Sequence, residues 1–398
     1  MITLKKKFSD SFNFLFNKKA LIRVDLNVPI ANGKIEDDTR IKKIIPTLKI
    51  LLEKKASIIL ITHLGRPNGE WVDDFSLKDL SSELSLILGE EIYFEQKNIY
   101  KIDSNYLNNI FKEYKIVLLE NIRFYEEEEK NDMTFVKKIS SFGDVFINEC
   151  FSCCHRNHSS IAGIPSYLPS FPGKLLEEEI LNLKNLILSS STGNNIAVLG
   201  GAKISTKLQI IDFYAKNYSK VIIGGAMAHT FLLALGNEIG ESLHEKKMIK
   251  TARDLLSIYG HKLLLPKDVV VTSKKDPSIV VPKTLGEIER NHVIMDIGPQ
   301  TRMLFYNEII KAENLLWNGP LGYFEKKPFE AGSYYVLNAI KNNKNKNFFS
   351  VAGGGDTISL LKKGGFFNCF SFVSTGGGAF LEFIQRGNSL PGLNSLND

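Results

Sequence analysis

The chain has 398 residues, 43% of them apolar, with 50 basic against 44 acidic side chains and a formal net charge of +6. At roughly 150 residues per core that length allows two or three domains, and the charge balance admits an anion-handling enzyme or a nucleic-acid binder alike. A membrane-spanning chain is excluded because no apolar run nears the roughly 18 residues a span needs; four cysteines, three of them clustered, exclude a disulfide framework.

In chain order the sequence repeats one pattern: a short β-branched and leucine-rich run, a Gly, Pro, Asn or Asp cluster, then a helical stretch. The opening MITLKKKFSDSFNFLF is basic and aromatic. Asn13, Asn17 and Lys18 break it before a signal-type apolar region forms, so a cytoplasmic location is expected. ALIRVDLNVP, SIILITHLGRP, IVLLENIRF and DVFINECF read as strands with their following loops, and SLKDLSSELSLIL as a covering helix. Runs that are apolar throughout are buried on both faces, which implies a parallel α/β sheet. KLLEEEILNLKNLILSSS sets Leu176, Ile180, Leu183 and Ile187 at helical spacing between breakers at Gly173 and at Ser189 to Gly193, and predicts a helix joining two domains. Beyond it IAVLGGAK, KVIIGGAM, HVIMDIGP, NLLWNGPLG, FFSVAGGGDT and FSFVSTGGG repeat the strand-then-loop pattern. So many strands imply two sheets. The expected architecture is two doubly wound parallel-sheet, Rossmann-like domains over 1–172 and 193–384, facing each other across a cleft. A helix over 173–192 links them, and a tail over 385–398 returns to the first.

Ligands bind at the carboxyl ends of parallel strands, where the unusual residues of this chain lie. In the first half Asp25 and Asn27 follow one strand, His63 and Arg66 another, Arg123 a third, and His155, Arg156 and His158 a fourth. One such Arg ordinarily pairs with a surface acid; four loops of the same chemistry make a basic bowl suited to a small polyanion. The second half instead carries glycine runs, LGGAKISTK, IGGAMAHTF, DIGPQT, WNGPLGYFE, AGGGDT and STGGGAF, where backbone N–H groups can approach phosphate. With Lys203, Lys207 and Asp356 among them, these point to a nucleotide site with a metal-binding acid. Neither GxxxxGK[ST] nor GxGxxG occurs, which excludes a P-loop enzyme and a standard dinucleotide binder. The cationic loops follow strands instead of forming a stripe with aromatic partners, so no nucleic-acid partner is expected.

The ordered set RVDLNVP, HLGRP, LLENIRF, the HR of CCHRNHSS, GGAK, DIGPQT, WNGPLGYFE, GGGDT, STGGGAF and the final LPG resembles the phosphoglycerate kinase family from Ala20 almost to the end. The resemblance implies reversible transfer of the acyl phosphate of 1,3-bisphosphoglycerate to Mg-ADP, giving 3-phosphoglycerate and ATP, by a monomer whose domains close about a hinge. By matched position Asp25, Leu26, Asn27, Arg40, His63, Leu64, Gly65, Arg66, Arg123 and Arg156 would line the glycerate site. Lys203, Lys207, Asn318, Glu325, Gly354, Gly355, Asp356 and Thr357 would serve the nucleotide, with Glu325 on the ribose and Asp356 linked to Mg2+ largely through the nucleotide. Arg40 and Lys203, with backbone N–H groups near Gly354 and Gly377, are the expected catalytic groups.

The stretch ECFSCCHRNHSS, from Glu149 to Ser160, allows other readings. A zinc site on Cys150, Cys153, His155 and His158 has the ligand types, yet all four lie within one short segment and no second ligand pair exists. A Cys-x-x-Cys redox site would need a short strand-to-helix setting, which the sequence does not suggest. In the family the loop reads close to DAFGTAHRAHSS, so Arg156 and its flanking histidines carry the function. Glu149 stands where Asp is usual and Ser152 where Gly is usual. Beside a phosphate-binding Arg, Cys153 and Cys154 are expected to favour their thiolates. EEEEK (126–130) reads as a solvated helix face, Trp71 and Trp317 as packing residues, and Met227 and Phe231 as lining a core or an adenine slot. His229 is given no role.

Overall fold

The apolar runs become strands whose alternate residues feed opposite cores. A computed structural model describes residues 4–31, 34–189 and 193–397, so 190–192, within the expected breaker segment, lie outside the described residues. Contacts divide the chain into two units, Met1–Leu181 with Gly378–Asp398, and Asn182–Gly377.

The first unit is built on a parallel sheet of six strands in the spatial order Ile92–Glu95, Ile116–Leu119, Ser57–Ile61, Lys19–Arg23, Val145–Asn148, Ser170–Pro172. Ala20, Ile22, Ile58, Leu60, Ile116 and Leu118 pack into one core, while Leu21, Ile59, Ile61, Val117 and Leu119 pack into another. Burial on both faces explains why these runs show no polar alternation. The spatial order reverses between Lys19–Arg23 and Val145–Asn148, and at such a switch point the following loops diverge to leave a crevice. The two loops that leave it carry Asp25 to Asn27 and Glu149 to His158.

The second unit repeats the plan with strands in the order Leu263–Leu264, Lys220–Ile223, Asn195–Leu199, Asn314–Asn318, Phe349–Gly353, Phe372–Ser374, all parallel. Its switch point lies between Asn195–Leu199 and Asn314–Asn318, whose loops begin at Gly200 and Gly319. The close approach there needs glycine: a Cβ on Gly200 would lie 1.9 Å from the carbonyl oxygen of Pro320.

Two expectations change. HVIMDIGP is not in the parallel sheet; His292–Ile297 pairs antiparallel with Asp268–Ser273, which pairs in turn with Val280–Thr284. Its first four residues alternate buried and half-buried, the signature of a sheet with one covered face. The short edge strands Ile92–Glu95 and Ser170–Pro172 are invisible as apolar runs, the first only partly buried and the second ending in Pro, which edge positions tolerate.

The linking helix runs over Lys174–Ser189, and the division between units falls inside it and ahead of Gly378, whereas the sequence reading set the boundaries at 172, 192 and 384. Contacts carry the helix Gly378–Arg386 to the first unit: Phe383 packs edge-on against Phe151 with ring centroids 5.8 Å apart. Farther on, Gly392 N–H donates to the Cys154 carbonyl at 2.9 Å.

Candidate active site

Arg40 is the second residue of the helix Thr39–Glu53, which aims it back at the loop after the first strand. Its Nη1 donates to the Asn27 carbonyl at 2.8 Å and pairs with Asp25 at 2.8 Å. Asp25 also accepts from Asn27 N–H at 3.0 Å, and Leu26 N–H donates to Thr62 Oγ1 at 3.0 Å. Asn27 Oδ1 accepts from Gly65 N–H at 3.0 Å, joining this loop to the one after the neighbouring strand. Gly65 has φ +63°, and a Cβ there would run into the Phe75 ring. Only glycine takes this backbone without strain.

Arg123 completes the ring of loops. Its Nη1 donates to the Gly65 carbonyl at 2.9 Å. Its Nη2 is buried with no hydrogen-bond partner, and Nε has only Glu129 at 3.4 Å, an ion pair without hydrogen-bond geometry. Unsatisfied guanidinium donors are costly away from water, so a buried, unpartnered Nη2 marks a place prepared for an anion. Burial, reinforced by Arg23, Arg123, Arg40 and Arg156, pushes His63 well below the usual histidine range and keeps it neutral. Arg156 is half-buried with His155 Nε2 at 3.4 Å from its Nε; Arg66 is exposed at the rim. Leu64 is buried, and its carbonyl accepts from Asn121 Nδ2 at 2.7 Å.

Arg23 is passed over in the sequence reading. It closes an otherwise apolar strand and is fully buried, with Nε donating to Ser160 Oγ at 2.8 Å and Nη2 lying 3.1 Å from His63 Nδ1. A charged residue ending an apolar strand is the signal that was available. Ser160 in turn donates to Glu128 Oε1 at 2.6 Å, and Ser160 N–H to Oε2 at 2.9 Å. This corrects the reading of EEEEK: Glu128 is fully buried, facing Arg23, and only its neighbours are solvated. His158 Nδ1 lies 3.8 Å from the same carboxylate, but burial and the arginines push the imidazole down to about 3, so the contact is not an ion pair.

The cysteine loop also differs from expectation. Cys154 is fully buried and burial pushes its thiol well up, against the expected thiolate; only Cys153 is lowered, to about 7. Cys150 follows the strand Val145–Asn148 after a single residue and caps the one-turn 3-10 helix Phe151–Cys153, a tight turn with no α-helix of thioredoxin type behind it. Groups of three or more His, Cys, Asp or Glu positioned for a metal do not occur among the described residues.

In the second unit an apolar cavity of about 410 Å³ opens beside the glycine loops, with Gly201, Ala228, Leu243 and Leu321 among its walls. Glu325 and Asp356 reach it; the other expected nucleotide residues sit outside it. Lys207 Nζ donates to Asn318 Oδ1 at 2.6 Å and to the Asn318 carbonyl at 3.1 Å; burial lowers it to about 8 against the pull of Asp356. Asn318 Nδ2 donates to the Gly353 carbonyl at 2.7 Å, and Thr357 Oγ1 accepts from Gly319 N–H at 2.8 Å. Gly354, at φ +104°, caps the helix Gly355–Lys363, whose first turn holds Asp356 and exposes backbone N–H groups to any anion placed there. Lys203 is exposed, and Gly377, at φ +53°, faces open space.

The side chains missed here are His229 and Tyr323, which share the cavity wall. His229 Nδ1 contacts the Leu243 carbonyl at 2.9 Å, and burial keeps the ring neutral, pushed down to about 4. Met227, Phe231 and Trp317 are core residues. Trp71 is 55% exposed and tilts onto Phe124 at 4.6 Å.

Comparison with known proteins is consistent with both units. A family model described as phosphoglycerate kinase matches residues 10–387. The chain is 40% identical to phosphoglycerate kinase of Orientia tsutsugamushi (strain Boryong) over 386 residues, 96% of this chain and 95% of that one. It is 41% identical to the protein of the same name from Dictyoglomus turgidum over 388 residues, 96% of each. Among solved structures, phosphoglycerate kinase from Coxiella burnetii superposes with a TM-score of 0.83 at 33% identity, covering 96% of each chain. That from Pyrococcus horikoshii OT3 gives 0.82 at 30% identity, covering 98% of each.

Proposed function

The chain belongs to the phosphoglycerate kinase family, and from that premise we propose how its residues divide the work of glycolytic phosphotransfer. The reaction passes the acyl phosphate of 1,3-bisphosphoglycerate reversibly to ADP, giving 3-phosphoglycerate and ATP. The acyl side of that exchange belongs to the first unit and the nucleotide side to the second.

The observation that carries the first assignment is the buried, unpartnered Nη2 of Arg123, set among Arg23, Arg40, Arg156 and neutral His63. In this reading Arg123, Arg156 and Arg66 hold the phosphate, while Asp25 and Asn27, with the backbone at Leu26, Leu64 and Gly65, orient the glycerate. Arg40 lies between these groups and steadies charge on the moving phosphoryl. Phosphoryl transfer spreads negative charge over the equatorial oxygens, so cations and N–H donors supply the stabilisation. The leaving group is a carboxylate, so no general base is needed, and a neutral His63 fits a donor or acceptor role.

For the nucleotide, the apolar cavity takes the base and Glu325 the ribose. Lys207, Asn318, Thr357 and the amides at Gly354 and Gly355 receive the phosphates, and Lys203 and Gly377 complete the charge stabilisation. Mg2+ would supply neutralisation of the phosphate charge. Asp356 fits it, being an exposed carboxylate on the cavity wall, and one hard oxygen ligand suits an ion carried mainly by the nucleotide. Monomeric action in the cytoplasm belongs to the same reading; the four free cysteines support the reducing compartment.

Because the two ligands belong to different units, transfer requires that a hinge bring them together and shed water. Compaction in small-angle scattering when both substrates are added is the expected sign; unchanged scattering would count against closure. For the site itself the test is a coupled assay of Mg-dependent ATP formation. Arg40→Ala is expected to lose at least about a hundredfold in kcat while ADP affinity holds. An Arg40→Ala protein as fast as the parent would overturn the assignment.

A further inference from the structure

Cys150 and Cys153 differ from the other cysteines in their geometry. Cys153 N–H donates to the Cys150 carbonyl at 3.1 Å, closing a single turn. A turn closed in this way brings its first and last Cα atoms within about 7 Å, the outer limit for a disulfide. The two side chains pack in one buried cluster with Ile161, and Ser152 Oγ lies 3.4 Å from Cys150 Sγ and 4.0 Å from Cys153 Sγ. Arg23 Nη2 points at Cys153 Sγ from 4.0 Å. Cys154 faces elsewhere, its Sγ 3.5 Å from the Cys150 carbonyl and 3.8 Å from Asn148 Nδ2.

We propose that Cys150 and Cys153 form a peroxide-responsive dithiol that closes to an intramolecular disulfide and loosens the glycerate site. The hydrogen bond from Cys150, and then Arg23, lower Cys153 to about 7 against the cost of burial, while burial pushes Cys150 well up. The pair is therefore asymmetric: Cys153 is the attacking thiolate and Cys150 the partner that keeps its proton. Cys153 attacks one oxygen of hydrogen peroxide, the O–O bond breaks, and the departing hydroxide takes up a proton as water. Cys150 loses its proton and attacks the resulting sulfenic sulfur; the S–S bond forms, the S–O bond breaks, and the second oxygen leaves as water. Two thiols and one peroxide give one disulfide and two waters, and an external dithiol reverses the exchange.

The link to the site is Ser152, which stands between the two cysteines and donates to Asp25 Oδ2, the carboxylate that also holds Arg40. Closing the disulfide draws both sulfurs out of register with Ser152 and Arg23. Its functional consequence rests on the glycerate-site reading above; the oxidation chemistry does not.

The test treats the intact chain with hydrogen peroxide, measures the mass of the peptide bearing the loop, and follows kinetics before and after dithiothreitol. Loss of two hydrogens from that peptide is expected. With it the KM for 3-phosphoglycerate should rise about tenfold, the size of one lost charge-assisted hydrogen bond. The KM for ATP should be unchanged, and dithiothreitol should restore both mass and KM. Cys150→Ala and Cys153→Ala should abolish the effect and Cys154→Ala should retain it. Oxygen added to Cys153 without a disulfide, or a response that survives Cys150→Ala, would overturn the proposal. A disulfide with an unchanged glycerate KM would overturn its link to the site. Untreated protein without kinase activity would refute the functional reading and leave the mass result standing.

Discussion

At the scale of single residues, the site is a set of guanidinium groups whose donors are partly committed to the backbone. Arg123 spends Nη1 on the Gly65 carbonyl and leaves Nη2 buried and unpartnered. A lysine keeps the charge but cannot make both contacts, because one ammonium replaces a planar fork. Arg123→Lys is therefore expected to raise the KM for 3-phosphoglycerate about tenfold, with the KM for ATP unaffected; steady-state kinetics with each substrate varied will show it, and equal changes in both would contradict it. Arg23 illustrates what composition and motif spacing miss. Its role follows from Ser160 and Glu128, which approach it only through the tertiary fold. Glu128 sits in a run of four acids, and nothing local distinguishes the one that turns inward.

At the scale of elements, the loop after Val145–Asn148 is fastened to two helices through Glu149. Its carboxylate accepts from Leu175 N–H at 3.1 Å and Leu176 N–H at 3.3 Å, at the start of the linking helix, and from Thr47 Oγ1 of the helix Thr39–Glu53. Glu in place of the family's usual Asp is thus a helix-capping group with a longer reach, and Gly173 is needed because a Cβ there would lie 1.9 Å from its Oε2. Burial raises Glu149 from 4.5 to about 7, only partly offset by these hydrogen bonds. The sign follows: a carboxyl raised in the folded state contributes stability that is full below about 4.5 and is lost as pH climbs through about 7. Thermal melts of Glu149→Gln are expected to show a shallower decline in Tm between those two pH values than the parent chain. A parallel decline in both would mean that Glu149 does not titrate there.

At the scale of the whole molecule, the strand runs, the linking helix and the two dialects of loop were legible because they are local. Strands buried on both faces write themselves as unbroken apolar runs, as SIILI does at Ser57–Ile61. The antiparallel placement of His292–Ile297 was not legible, because pairing direction depends on its partners Asp268–Ser273 and Val280–Thr284, β-branched runs whose position beside it only the tertiary fold sets. The position of the helix Gly378–Arg386 in the first unit was hidden for the same reason: Phe383 finds Phe151 across more than half the chain. Of the candidate site, the matched motifs singled out the residues to inspect and the fold supplied their contacts, with Lys207 bound to Asn318 and Arg40 to Asp25.

The central claim is a division of labour, with arginines of one unit holding the glycerate and glycine-lined amides of the other holding the nucleotide. A crystal structure of the chain with 3-phosphoglycerate and Mg-ADP tests it most directly. The account predicts the glycerate phosphate against Arg123 Nη2, and the ADP base in the cavity walled by Leu243 and Leu321. Both ligands on one unit, or an Arg123 Nη2 still without an anion, would contradict it.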